Sequence, residues 1–321
     1  MNKKKKVLLC FLLLALFSKI HALNDTFLAY CKHINDAELN IMENNMQEAL
    51  ICYDSAFSLY SQPWAKDIHN AIVCAKKIKD EQKIKKYLDV MVATKSLKPV
   101  YYKEKGLLKY LSGEEKEKIK QKYTDKIKSE DYLFIQRIIQ EDQAIRTQKN
   151  YSQRHYLIRE TDSLTYEKYK AHFGDTFPGE ELTLDLISHH GIDLILFHHW
   201  IVNKGLKFEA VNKAEKMVED LKYNNYHYAY QYDAKLGNTV NYFGYGLTLK
   251  MVYTNKKTRK MLNNNKKENY IQFSPENIIE INERRAKIGL ETYDEYVRKI
   301  EFFTKHREYC FPISYYRIFT R

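Results

Sequence analysis

Asn24–Leu97 reads NDTFLAYCKHINDAELNIMENNMQEALICYDSAFSLYSQPWAKDIHNAIVCAKKIKDEQKIKKYLDVMVATKSL, and its apolar residues recur at helical spacing in segments of roughly twelve to fifteen residues. The breaks fall at Asn44-Asn45, at Ser61-Gln62-Pro63 and at Lys79-Asp80, residue types that favour turns. The pattern predicts four helices arranged as helical hairpins. Sliding the stretch along itself by 34 residues pairs Ile34 with Ile68, Ala37 with Ala71, Leu39 with Val73, Leu50 with Ile84, Tyr53 with Tyr87 and Phe57 with Met91, the mark of a repeated supersecondary unit. Only 10 Gly and 5 Pro interrupt the 321 residues, while Lys, Glu, Leu, Ile and Ala fill long windows. The expected fold class is therefore mostly α along the whole chain.

On these residues the region resembles the tetratricopeptide repeat. Ala37, Ala49, Tyr53 and Ala56 fall where that motif uses small or aromatic side chains to let two helices approach. The chain departs from it at Asp36 and Asn40, where large apolar or aromatic residues are usual, and at Lys83, where the second helix normally has Ala. The resemblance covers two repeats, with a third expected over Tyr101–Tyr123. It implies binding of a protein or peptide partner in a concave face, and no chemistry; a generic helical bundle is the plainer alternative.

Ahead of this region Lys3–Lys6 precede an apolar run from Val7 to Phe17 and the small residue Ala22. The run is far short of the ~20 residues that span a bilayer, so residues 1–22 read as a cleaved signal peptide and the mature chain is expected to start near Leu23. That predicts export to a periplasm or beyond, with no transmembrane segment in the mature chain. Of 53 basic residues the leader holds five, leaving 48 against 41 acidic, a net +7. Basic clusters lie only at Lys116–Lys128, interleaved with acids, and at Lys256–Lys267. This is a solvated surface rather than a nucleic-acid groove. Cys31, Cys52 and Cys74 recur on apolar helix faces, and with Cys310 they read as buried thiols. The chain has no Cys-x-x-Cys pair, which excludes a zinc ribbon or a thioredoxin-like site.

Roughly 300 mature residues accommodate two domains, 23–130 for the repeats and 131–321 for a second helical domain. In the latter, helices are expected over Tyr132–Lys149 and Arg154–His172, from Glu180 after the turn Phe177-Pro178-Gly179, and over Leu182–Val202, where apolar residues occupy nearly every angle of the wheel and Gly191 is a candidate break. A polar helix over Phe208–Asn224 leads to Tyr226–Asp233, read as a further helix. Val240–Gly246, Leu247–Tyr253 and Tyr270–Phe273 read as short extended structure, a small β-hairpin, around an exposed Asn/Lys-rich loop. Ser274-Pro275-Glu276 then opens a helix that stops at Gly289.

His172, His189, His190, His198, His199 and His227 lie close together in the chain, and His189 and Asp193 are one turn apart. Adjacent His residues point away from each other on a helix and no zinc signature is present, so neither a metal nor any other cofactor is expected. There is no Gly-x-Ser-x-Gly elbow and no phosphate loop. Glu180 with Asp233 is a conceivable carboxylate pair for sugar cleavage that nothing favours.

A second resemblance spans Asp142–Tyr296. Asp142-Gln143 with Arg146, Gly174 to Pro178, His198-His199, Asp233-Ala234, Asn241-Tyr242-Phe243-Gly244-Tyr245, and Arg284-Arg285 before Gly289-Leu290 follow in order and are similar to the motifs of a bacterial domain family of unknown function. That family has Gln at the place of His198, Arg at the place of Ala234 and Tyr at the place of Phe243. Burying such charges unpaired is costly, so His199, Asp233, Asp142, Arg146 and Arg285 are expected to meet, either as a structural ion-pair network or as a pocket. As a pocket, His199 would act as acid or base oriented by Asp233. Asp142, Arg146, Arg285 and Gly244 would then bind the ligand, the arginines holding an anionic group. The leading expectation is a partner-binding or scaffolding protein built on the repeats; a hydrolase-like enzyme centred on His199 and Asp233 is the alternative.

Overall fold

The computed structural model describes residues 23–147, 155–174, 177–185, 196, 197, 199, 200, 203, 206–222, 225, 226, 228, 229, 243 and 274–311. Residues 1–22 with Cys10, Asp193, Asp233, Gly244, the basic cluster 256–267, all of the expected β-hairpin except Phe243, and His189, His190, His198 and His227 lie outside these residues. Among those described, every regular element is a helix, and no helix is long and apolar enough to cross a membrane.

The four helices read from Asn24–Leu97 are α1 (Asp25–Met42), α2 (Met46–Leu59), α3 (Ala65–Lys77) and α4 (Glu81–Thr94), each packed on the next. Local chemistry places the ends. The Asn24 side chain caps α1 by accepting from Phe27 N, and Asp80 caps α4 by accepting from Lys83 N. Asn44 and Lys79 take left-handed backbone, φ 62° and 60°, just before the N-caps Asn45 and Asp80. Burial repeats with the expected offset: Ile34 and Ile68, Ala37 and Ala71, Leu50 and Ile84, and Tyr53 and Tyr87 are all buried. The turns themselves are offset by one residue more, since Asn44 and Lys79 are 35 positions apart.

The third unit differs from the first two. Pro99 starts a six-residue helix, α5 (Pro99–Glu104), Gly106 turns at φ +63°, and a 3-10 turn (Leu108–Tyr110) precedes α6 (Gly113–Lys128). The hairpin expected over Tyr101–Tyr123 therefore has no first helix of matching length.

Beyond it, α7 (Glu130–Arg146) packs against α8 (His155–Phe173), which ends at Gly174 with φ +60°. The helix expected to run through Leu182–Val202 is interrupted: the single turn α9 (Glu180–Thr183) stops at Leu184, whose backbone is extended. Lys126 holds that break by donating to Leu184 O at 3.0 Å and pairing with Asp185 at 2.8 Å. After α10 (Lys207–Glu219), Asn225, Tyr226, Tyr228 and Ala229 are helical, as expected. A cluster of Tyr166, Tyr169, Phe177, Phe197 and Trp200, with ring centroids 4.8–6.5 Å apart, forms the core here.

The helices α11 (Pro275–Lys287) and α12 (Tyr293–Lys305) close the fold, and α12 packs against α1. Ser274 caps α11 and Thr292 with Glu295 forms a capping box on α12. Gly289, between them at φ +69°, comes so near α1 that a Cβ would lie 2.7 Å from Cys31 Cβ.

Candidate functional site

Asp142 and Arg146 share one face of α7, Asp162 projects from the facing α8, and His199 precedes Trp200 of the aromatic core. Trp200 Nε1 donates to Thr165 Oγ1 at 3.1 Å, which fixes the His199 turn against α8. The four side chains meet. His199 Nδ1 lies 2.8 Å from Asp142 Oδ2, Gln143 Nε2 donates to the same oxygen at 2.7 Å, and Arg146 donates to Asp142 at 3.2 Å while its Nη2 also contacts Asp162. Asp142 is fully buried; the Arg146 and His199 side chains keep 15% and 12% of their surface.

The two carboxyls are pushed apart in acidity. Burial lifts Asp142, but the hydrogen bond and charge of His199 and the Arg146 guanidinium outweigh it and hold its pKa below the usual value. Burial raises Asp162 against the pull of Arg146. An ionised acid orienting an imidazole beside a second, more easily protonated acid is a set able to transfer protons. Ligand atoms of Asp142, Asp162 and His199 lie within 4.8 Å of one another, a spacing suited to a metal ion. Arg146 occupies the cation's place on both carboxylates.

Of the expected residues, His199, Asp142 and Arg146 are brought together; Asp233 and Gly244 are outside the described residues. Arg285 has different partners. Fully buried, it donates to Glu291 O at 2.6 Å and to Phe243 O at 2.9 Å, and lies over the Tyr296 ring. Glu291 and Lys299 connect it to Glu38 of α1, which Lys66 of α3 approaches at 3.7 Å. Lys66 in turn pairs with Asp67, which accepts from Tyr30. The result is a chain of six charges, all but Lys66 buried, joining α1, α3, α11 and α12.

Other candidates are used structurally. Glu180 accepts from Ala65 N at 2.8 Å, at the start of α3, and pairs with Lys95 at 3.0 Å, so its carboxylate is a cap. His172 pairs with Asp131 and stacks on Phe134. In the basic cluster Lys122 donates to Val92 O and Ala93 O and Lys126 to Leu184 O. Cys31 and Cys74 are buried, and Cys52 and Cys310 partly so.

A second site, not anticipated from sequence, lies on α3. Buried His69 and Asn70 hold the main chain of Glu308–Phe311: His69 Nε2 is 2.8 Å from Glu308 O, and the Asn70 amide bonds both N and O of Cys310 at 2.7 and 3.2 Å. A carbonyl only accepts, so His69 carries its proton on Nε2 and its Nδ1 accepts from Tyr101 Oη at 2.8 Å. Burial keeps it neutral, with its pKa lowered to about 4. The signal for both sites was polarity at buried helical positions: Asp162 lies four residues before Tyr166 and seven before Tyr169 on the inward face of α8, and Asp67 and Asn70 stand among the buried residues of α3. Comparison with protein-family models, with curated proteins and with solved structures finds no match.

Proposed function

We propose that this is an exported partner-binding protein whose helical hairpins α1–α4 receive an extended polypeptide. The observation that carries the reading is that α3 already binds polypeptide main chain through side chains, Asn70 clasping both backbone groups of Cys310. The burial repeat of α1–α4 and the degenerate tetratricopeptide resemblance support it, since arrays of that kind present a face to peptides. Selection of a random-peptide display library on the purified full chain tests this. Enriched peptides that lose binding on substitution of α1–α4 surface residues are the expected result, and no enrichment above a bare-surface control refutes the reading.

One observation favours a second reading, a hydrolase-like enzyme centred on His199, with Asp142 at its Nδ1 and Asp233 outside the described residues. It is the opposed acidity of Asp142 and Asp162 beside an imidazole that retains some exposure. Hydrolysis of a panel of chromogenic esters and phosphates that disappears in His199→Gln would support it; equal rates in both proteins would remove it.

A further inference from the structure

Glu308–Phe311 follows α12 and crosses α3 outside any helix. Two of its main-chain groups, Cys310 N and Cys310 O, are bonded by Asn70, and a third, Glu308 O, by His69. Its side chains divide by position. Tyr309 and Phe311 are buried, 1% and 3% exposed, against each other and Phe302 of α12. Tyr309 Oη reaches Met46 Sδ of α2 at 3.4 Å, and Lys77 sits 4.9 Å from the Tyr309 ring centroid. Glu308 pairs with Lys77 at 2.9 Å. The Cys310 side chain is only partly buried.

Main-chain bonds that ignore sequence, with alternate side chains set in apolar contacts, are the way proteins recognise extended peptides. An Asn side chain suits this role because its one acceptor and its donor pair with the N–H and C=O of a single residue. Here the ligand belongs to the chain itself. We propose that the α3 surface centred on His69, Asn70 and Lys77 is a peptide site filled in cis by Glu308–Phe311, and that in trans it takes an extended peptide of pattern acidic–aromatic–any–aromatic. The inference rests on the partner-binding reading and gives that reading its ligand and its regulation: the internal segment is a tethered competitor. A short tether holds such a segment at an effective concentration on the order of millimolar, so a partner binds weakly until the internal copy is weakened or outnumbered.

The test uses the full chain and a dye-labelled synthetic peptide of residues 305–314 with serine at position 310, followed by fluorescence anisotropy. Glu308→Lys reverses a half-exposed ion pair without touching the core, and Tyr309→Ala/Phe311→Ala removes both internal anchors. Tyr309→Ala/Phe311→Ala is expected to bind the peptide about tenfold or more tightly than the parent protein, and Glu308→Lys about threefold more tightly because an exposed ion pair holds only weakly. Adding Asn70→Ala is expected to remove that gain, as is alanine at either aromatic of the peptide, whereas changing position 310 leaves binding alone. No binding to Glu308→Lys at millimolar peptide, or binding that ignores Asn70, overturns the proposal. If library peptides still bind other faces of α1–α4, the broader partner-binding reading survives that failure. If neither the library nor the internal sequence yields a binder, both fall together.

Discussion

Glu38 on α1 and Lys299 on α12, 261 positions apart in sequence, lie 2.5 Å apart with both side chains buried. Removing the cation leaves Glu38 with only the 3.7 Å contact of Lys66, and Glu291 with only Arg285 as its cation, in a low-dielectric interior. Lys299→Met is expected to cost about 3–5 kcal/mol in urea-unfolding free energy. The double variant Glu38→Gln/Lys299→Met should lose clearly less than the sum of its singles. Additive losses would show that the pair is not coupled.

His69 links stability to pH. Its pKa is near 4 in the folded chain and about 6.5 when unfolded, so between those values the unfolded state binds the extra proton. Its contribution is full above pH 6.5 and is lost as pH falls towards 4, by on the order of 3 kcal/mol. Urea midpoints between pH 7.5 and 4.5 should therefore fall more steeply for the parent protein than for His69→Gln. Parallel slopes would contradict the buried neutral imidazole.

Arg146 acts as the resident cation of Asp142 and Asp162. Arg146→Ala leaves two buried carboxylates facing His199 and is expected to destabilise by about 3–5 kcal/mol. Millimolar Zn²⁺ or Mn²⁺ should raise the melting temperature of the variant, because the ligand atoms already converge, and leave the parent unchanged. A variant that melts like the parent, or ignores metal, would deny Arg146 this role.

Gly289 meets two constraints at once, a left-handed φ of +69° and contact with Cys31 and Phe27 of α1. Gly289→Ala combines backbone strain with overpacking, and a loss of roughly 2–4 kcal/mol is expected in the same unfolding assay. Gly106 has a similar φ of +63° and open space around its missing Cβ. Gly106→Ala should therefore cost only the strain, roughly 1–2 kcal/mol, and comparable losses at the two sites would remove the claim of close packing.

Much of the helix layout was legible because it depends on near neighbours. The turns at Asn44-Asn45 and Lys79-Asp80, the Ser274 cap with the Pro275 start, and the Gly174 and Gly289 stops each act within about one turn. The inward faces followed from spacing alone, as the shared burial of Tyr53 and Tyr87 illustrates. The break at Leu184 was not legible, since the group that satisfies its freed carbonyl, Lys126, lies 58 residues away. Asp142, Arg146 and His199 were expected to converge because buried charges need partners, yet that rule does not name the partner. Arg285, grouped with them on the same ground, instead pairs with Glu291, and Asp162 went unrecognised although its spacing to Tyr166 and Tyr169 sets it on the inward face of α8.

The sequence by itself determined the helical class, the breaks between α1, α2, α3 and α4 and the inward positions, since these arise from short-range periodicity and turn chemistry. Tertiary structure alone decided which charges meet and that Glu308–Phe311 lies on α3. Those contacts join residues up to 261 positions apart, and Coulomb attraction and hydrogen bonding depend on distance in space, which spacing along the chain does not encode.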